Sequence, residues 1–396
     1  MKYGMTPELE EFRAQVREFV RINAPAIPPK AGVRSAENTA ELALLKEWTR
    51  KLFAAGYIGA SWPTEYGGQG AAHQLERDVV VAEEIARGRA PAAIQGAANL
   101  VANALLDFGT PEQRAAYLGG IRSGEFIFCQ LFSEPGSGSD LASLRTRAAR
   151  TDDGGYVISG QKVWTTNGHW ADYGYLLART NPDAPKHKGI TAFIIDMRLP
   201  GIEVRPLREM TGTADFNEVF LDEVKVGPEA VIGAVDQGWR IANSSLAHER
   251  SGVANNAVRL RQNLAALIDL AKNIDLDGRP ALEDDVVIDR LGELSASVEA
   301  LSALVYAGLT RASRGEQRIG DAPMTKLMFS ELGVEIAAFA LELAGGAGVL
   351  VEGDRDAIDH GRWQDEFLYA RAYTIAGGSS EIMRNIIAER ELGLPR

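Results

Sequence analysis

Hydrophobic positions change their spacing twice along this chain, and the two changes divide it into three parts. In the first 125 residues the spacing is helical. Thr6 is placed to cap a helix with Pro7 at its first position, and Leu9, Phe12, Val16, Phe19 and Val20 then recur on one face. A loop rich in Pro and Ala, from Ala24 to Ala31, ends it. Further helical patterns run from about Thr39 to Ala55, Gln74 to Arg87 and Pro91 to Phe108, and Thr110-Pro111-Glu112 opens another by the same logic.

From about Phe126 the apolar runs shorten and alternate with turns. Expected strands are Phe126–Phe132, Tyr156–Ser159, Gln161–Trp164, Tyr173–Arg179, Ile190–Asp196, Ile202–Pro206 and Glu218–Val226. Strands so spaced, without helices between them, imply a small antiparallel barrel or sandwich. After Gly238 long helical segments return near 238–273, 283–314, 323–345 and 364–391, and four such segments fit a bundle. Gly345-Gly-Ala-Gly348 and Gly377-Gly-Ser-Ser380 interrupt the last two. The pattern therefore predicts a mostly α chain with a central β domain: an N-terminal helical domain over 1–125, a β domain over 126–235 and a C-terminal helical bundle over 236–396.

The length of 396 residues agrees with several units sharing a large core. A net charge of -12 argues against nonspecific nucleic-acid binding and gives no attraction to anionic membranes. The single cysteine, Cys129, excludes an internal disulfide framework, and its apolar run Phe126-Ile-Phe-Cys-Gln-Leu-Phe132 predicts a packing role. The amino terminus lacks the pattern of a signal peptide, and no run is read as approaching the roughly 20 apolar residues of a membrane span. A cytoplasmic protein is expected.

Several chemistries lack their motifs. His73, His169, His187, His248 and His360 have no metal-ligand spacing. No Gly-x-Gly-x-x-Gly follows a strand, no phosphate-binding Walker loop is present, and there is no Gly-x-Ser-x-Gly elbow. What stands out instead is a pair of segments in the strand-rich stretch: Phe132-Ser-Glu-Pro-Gly-Ser-Gly-Ser-Asp140 and Gly160-Gln-Lys-Val-Trp-Thr-Thr-Asn-Gly168. The first offers hydroxyls and flexible backbone N–H groups. The second sets an indole beside two hydroxyls. An aromatic wall with hydroxyl and amide donors suits a flat, polar, electron-accepting ring such as flavin, although each segment alone also reads as an ordinary hairpin turn.

As a pair, in this order, the segments resemble those of the acyl-CoA dehydrogenase family. The resemblance extends over essentially the whole chain, through Lys188-Gly-Ile-Thr-Ala-Phe-Ile-Ile-Asp-Met197, Asn217-Glu-Val-Phe-Leu-Asp-Glu-Val-Lys-Val226, Gly238-Trp239 and Ser380-Glu-Ile-Met-Arg-Asn-Ile-Ile-Ala-Glu-Arg390. It implies noncovalent FAD, with Gln130, Phe132 and Ser133 along the ring edge and Gly138 and Ser139 near the cofactor. Trp164, Thr165 and Thr166 would cover its other side, and Gly345, Gly346, Ser379 and Glu381 would contact the remainder across a subunit boundary. Ser139, Arg250 and Gly377 are the implied substrate contacts.

The family's reaction removes a proton next to the thioester carbonyl and passes hydride from the neighbouring carbon to flavin. Many members carry the base as Glu in the loop Tyr-Glu-Gly-Thr-Ser-Glu-Ile. Registering on Glu381-Ile382 puts Gly377 there, and glycine cannot take a proton. Branched-chain and long-chain members carry the base on a bundle helix before an Arg, and Leu246-Ala-His-Glu-Arg250 places Glu249 in that position, with His248 the next candidate. Alone, Glu249 also reads as a surface carboxylate paired with an Arg. The Gly377 backbone N–H would still donate to the thioester carbonyl.

One departure concerns FAD phosphate. The family's Arg-x-x-Phe-Gly motif is absent from Ala271-Lys-Asn-Ile-Asp-Leu-Asp-Gly278, where Lys272 is the available cation without the fork of Arg. The resemblance implies an acyl-CoA dehydrogenase that passes electrons to an electron-transferring flavoprotein, on branched, cyclic or bulky acyl groups, as a homotetramer or a heteromer with a related chain. Two alternatives stay open: an oxygen-reacting acyl-CoA oxidase or flavin monooxygenase, and a non-catalytic subunit of a heteromer.

Overall fold

The structure is a computed structural model that describes residues 6–27, 31–32, 34–70, 75–91, 96–248 and 253–395. It contains two compact units, each assembled from separated stretches: 1–32 with 75–91 and 251–396, and 33–74 with 92–250.

The first unit is helical. Helix α1 (Pro7–Asn23) starts as its sequence requires, with the Thr6 hydroxyl accepting from the Leu9 N–H at 3.3 Å, a cap worth about 1 kcal/mol. It packs on α3 (Leu75–Arg87) through buried charge: Arg13 reaches both Glu83 and Glu84, and Arg17 adds a second pair to Glu84 at 2.8 Å. Helices α7 (Val253–Asn273), α8 (Asp285–Ser313), α9 (Asp321–Ala344) and α10 (Arg362–Tyr373) enclose one apolar core that includes Leu267, Leu294, Val298, Leu301, Ile336 and Trp363. The fourth expected segment is broken. After α10 the chain turns through Thr374–Gly378 and restarts as α11 (Ser380–Ile386), because Gly377 and Gly378 take φ of +66° and +99°.

One membrane expectation needs correction. The stretch Asp321–Val349 is long and apolar enough, by length and composition, to cross a bilayer. Its Ala-rich sequence carries few charges, and Phe329, Leu332, Ile336, Ala340 and Leu343 are spent on the bundle core. Core packing accounts for that composition.

In the second unit one eight-stranded sheet runs β6-β7-β3-β2-β4-β5-β8, with β1 joined to β4. The strands are β1 (Phe128–Leu131), β2 (Arg147–Arg150), β3 (Tyr156–Lys162), β4 (Tyr173–Arg179), β5 (Ile190–Asp196), β6 (Ile202–Leu207), β7 (Phe216–Val226) and β8 (Val231–Ile232). Pairing is mostly antiparallel, but β1 and β2 each lie parallel to β4. The two strands expected on either side of Gly160 are one, β3, whose register against β7 shifts between Ile158 and Gly160. One face packs on α4 (Gly96–Phe108), α5 (Pro111–Ser123) and α6 (Gly238–His248) through Leu105, Leu118, Ile121, Tyr175 and Ile241, and α2 (Thr39–Ala54) lies against α5. The other encloses Cys129, Leu176, Phe193 and Val219. Cys129 is fully buried with its Sγ 3.8 Å from Met197 Sδ, and burial pushes its thiol up to about 12, so packing is its role.

Candidate active site

Phe132–Asp140 leaves the end of β1, and the turn after β3 carries Trp164–Gly168, so the sheet delivers both segments to one place. The Val163 N–H donates to the Ser133 carbonyl at 2.9 Å and joins them. Beneath that bond lies a feature that sequence reading passed over. Lys162 is fully buried, and its Nζ donates to the Phe132 carbonyl at 3.1 Å and to Glu134 Oε1 at 2.9 Å. Burial pulls the Lys162 ammonium down to about 8, with Glu134 opposing that shift. Burial alone would raise the Glu134 carboxyl, but the Lys162 charge and nearby donors outweigh it and hold it below its ordinary range. The Arg145 and Thr146 N–H groups donate to Glu134 at 2.6 and 2.8 Å, so both of its oxygens are engaged. The alternation Gln161-Lys162-Val163, with Lys162 on the inward side of a strand, was the available signal.

The second segment is clamped from another direction. Asp215 takes Ser35 N–H at 2.7 Å and Arg34 Nη1 at 3.0 Å, while the Asn167 N–H donates to the Asp215 carbonyl at 3.3 Å. The Ser35 hydroxyl donates to Asn167 Oδ1 at 2.6 Å, and Trp170 Nε1 donates to the Ala36 carbonyl. Under this hold Trp164 and Asn167 both take a left-handed φ of +59°. For a tryptophan that conformation costs on the order of 1–3 kcal/mol and persists only where the surroundings impose it. Trp164 is 60% exposed, and its ring meets Phe216 edge-on at 6.0 Å between ring centres. A strained, rigidly mounted and uncovered aromatic ring is suited to face a flat ligand.

Of the other expected ring contacts, Gln130 and Ser133 are half-buried, Phe132 is buried edge-on against Tyr175, and Gly138 and Ser139 are exposed on the turn. Thr165 is fully buried and its hydroxyl has no partner, while Thr166 is half-buried. A Cβ built on Gly136 or Gly138 would meet nothing within 4 Å, so open space lies beside that loop.

The helical unit carries the remaining expected contacts. Gly345 and Gly346 end α9, Gly345 at a φ of +55°, and both face open space. Gly377 is exposed, with nothing within 4 Å of an added Cβ. At Gly378 a Cβ would collide with Met383 Cε. Lys326 on α9 donates to the Gly378 carbonyl at 2.5 Å and fixes the loop from below; burial lowers its ammonium against the pull of Glu331 and Glu381. Ser379 caps α11, and Ser380 Oγ is buried without a partner. Glu381 is exposed and held below its ordinary range by hydrogen bonds from its own backbone N–H and from Ser379, which makes it a poor proton acceptor. Glu249 and Arg250 lie outside the described residues and immediately follow α6.

Where the FAD-phosphate Arg was sought, α7 gives way to a tight hairpin, Asp275–Leu276 and Arg279–Pro280, turning on Asp277 and Gly278 at φ of +55° and +86°. Lys272 is paired with Asp269 at 2.9 Å, and Arg279, a cation the sequence reading did not consider, with Asp284 at 3.1 Å. No group of acidic, histidine or cysteine side chains suited to a metal occurs among the described residues.

Comparison with known proteins gives this arrangement a class. Models of the acyl-CoA dehydrogenase N-terminal, middle and C-terminal domains match residues 6–125, 129–224 and 236–392. The acyl-CoA dehydrogenase IpdE1 of Mycobacterium tuberculosis is 37% identical, over 98% of each chain. The acyl-CoA dehydrogenase FadE34 of the same organism is 42% identical over 92% of this chain, which spans about half (49%) of the length of FadE34. Among solved structures, the Tcur3481-Tcur3483 steroid ACAD superposes with a TM-score of 0.88 at 30% identity, and the ChsE4-ChsE5 complex of Mycobacterium tuberculosis with 0.86 at 30%, each over 100% of both chains. These likenesses make the molecule an oxidoreductase acting on CH–CH groups. The chain belongs to the acyl-CoA dehydrogenase family.

The family is FAD-dependent. On the sheet unit the residues fit such a group: Thr165 brings a buried hydroxyl without a partner, Gly136 and Gly138 leave room beside their loop, and Trp164 offers an uncovered face.

Proposed function

We propose that this chain removes the α-proton and β-hydride of an acyl-CoA thioester to leave the trans-2-enoyl-CoA, with Glu249 as the base and an electron-transferring flavoprotein as the acceptor. FAD, when bound, supplies the hydride acceptor. Ser133, Thr165 and Thr166 would hold its polar edges and Trp164 one face, and Gly345, Gly346 and Ser379 would meet its remainder.

The observation that carries this reading is the loop at Gly377. It presents a glycine at a φ of +66° facing open space, and the adjacent Glu381 is held in its charged form. The loop has backbone donors and no competent base. In a dehydrogenase of this family the proton must then go elsewhere, and Glu249 is the carboxylate at the family's alternative position. Its task is to take the proton next to the thioester carbonyl while the Gly377 N–H stabilises the charge growing on the carbonyl oxygen.

An open loop also favours a wide acyl group. The 30% identity to a protein described as a steroid ACAD supports a bulky, ring-bearing one. Anaerobic bleaching of the flavin by a panel of acyl-CoAs tests this: ring-bearing thioesters should reduce it fastest, and preference for short straight chains would refute the bulky assignment. For assembly we favour a homotetramer or a heteromer with a related chain, because the family's FAD site uses segments from adjacent subunits, and one solved relative is the ChsE4-ChsE5 complex. A flavin-loaded, fully active monomer in light scattering would refute it.

A further inference from the structure

Three consecutive polar residues, Asn243-Ser244-Ser245, stand in the last turns of α6, and none of them has a part in the function proposed above. Asn243 bonds within the helix, its Nδ2 donating to the Trp239 carbonyl at 2.8 Å. The other two reach out of it. The Ser244 hydroxyl donates to Asp107 on α4 at 3.0 Å. Ser245 is buried, and its Oγ lies 3.2 Å from the hydroxyl of Tyr175 on β4, itself fully buried.

That bond has a direction. The Ser245 hydroxyl has one proton and gives it to the Ile241 carbonyl at 3.0 Å, so the Tyr175 O–H is the donor to Ser245. Burial pushes the Tyr175 phenol up to about 12 against the lesser pull of the Ser245 bond, so it keeps its proton. The Tyr175 ring also meets Phe132 edge-on at 5.0 Å between ring centres. One side chain thus ties α6 to the residue that opens the Phe132–Asp140 segment.

Apolar contacts through Ile241 and Ala242 already hold α6 on the sheet, but such contacts are non-directional and tolerate a small slide or rotation of the helix. A hydrogen bond in a dry site resists both. Helix α6 ends at His248, and Glu249 is the next residue, four positions after Ser245 in the sequence. The Tyr175–Ser245 bond therefore fixes the point from which the chain enters Glu249.

We propose that Tyr175 and Ser245 are positioning residues for the proton transfer, holding the end of α6 in register with the Phe132–Asp140 segment so that the Glu249 carboxylate meets the α-carbon of the thioester. This role rests on Glu249 being the base, as proposed above.

The test uses the flavin-loaded protein, the acyl-CoA that reduces it fastest, and the analogue of that thioester with sulfur in place of the β-carbon. The analogue can give its α-proton to the base but has no β-hydride to lose. The enolate left beside oxidised flavin then reports proton transfer alone, as a long-wavelength absorption band. Tyr175→Phe keeps the ring and removes the donor, while Ser245→Ala removes the acceptor. Each should slow flavin reduction about 10-fold and weaken the band about 3-fold or more, with the visible flavin spectrum unchanged and KM within about 2-fold. The double variant should be slower than either single one by no more than about 2-fold, because each removes the same bond. A parent-like band and reduction rate in both single variants, or two effects that multiply in the double, would overturn the proposal. So would loss of FAD, or a KM that rises as the rate falls, since a general loosening of the fold gives those results. If Ser245→Ala fails to fold because it leaves the phenol unpartnered, Tyr175→Phe decides by the same measures. Glu249→Gln in the same assay keeps the two ideas apart. It should abolish the band, and a band retained there refutes the base itself. A band lost there but intact in both Tyr175→Phe and Ser245→Ala refutes only the positioning.

Discussion

The two sets of loops that carry the proposed contacts are built on opposite principles. On the sheet unit, Ser133 and Trp164 are held by a buried ion pair, by a backbone bond between their segments and by the Asp215 network, strongly enough to force a tryptophan into a left-handed conformation. On the helical unit, Gly345, Gly346 and Gly377 are exposed and surrounded by space, and one lysine secures the Gly378 carbonyl. Rigidity serves a flat ring that must keep one orientation through many turnovers. Openness serves a ligand whose bulk is accommodated by what the protein omits. On the function proposed above, the difference would put ring orientation on the sheet side and tolerance of acyl shape on the glycine side.

The largest test of that contrast removes the buried cation. Lys162→Met leaves Glu134 charged and without its counter-ion, so it should cost about 3–5 kcal/mol in urea unfolding, while the double variant with Glu134→Gln should recover a substantial part. Equal losses in the single and double variants would mean that the pair is not coupled. The same pair predicts a pH signature. The Glu134 carboxyl is held below its ordinary value of 4.5, so its stabilisation is present above that value and disappears as pH falls through the folded-state value. Glu134→Gln should therefore be less stable than the parent at pH 7, with the difference closing below pH 4.5.

A smaller effect is expected on the helical side. Lys326→Met removes one charge-assisted bond to a half-buried carbonyl and should cost about 1.5–3 kcal/mol. It should also raise KM for acyl-CoA more than Ser133→Ala does, since the loop it secures is the one proposed to meet the thioester. The smallest is Gly377→Ala, about 1 kcal/mol for a side chain at a φ of +66° with no steric clash, measured as a shift in Tm. A loss above 3 kcal/mol there would show that the loop is tightly packed and would undo the contrast.

The sequence made some of this legible and hid the rest for physical reasons. Helix starts followed from local chemistry: Thr6 and Thr110 cap α1 and α5 as their side chains require, the latter with a full capping box through Gln113. Strands β4 and β5 were found with their observed limits because both are continuous apolar runs. β2, Arg147–Arg150, was missed because two of its four residues are arginines, so no apolar run marks it. The lysine beneath the Phe132–Asp140 and Gly160–Gly168 segments was overlooked since a lone lysine in a strand normally faces solvent, and only the fold brings Glu134 to it. The meeting of Arg147 with Arg179 was invisible for the same reason, since it is a parallel pairing that no local pattern announces.

The central claim is that the proton goes to Glu249 while the Gly377 loop contributes only backbone. Stopped-flow reduction of the flavin by a good acyl-CoA substrate, without oxygen, tests it on the Glu249→Gln variant, which keeps size and most hydrogen bonding. The account predicts retained flavin, retained acyl-CoA binding and reduction slowed by roughly 100-fold or more. Reduction at close to the parent rate would contradict it and make His248 the next base to test.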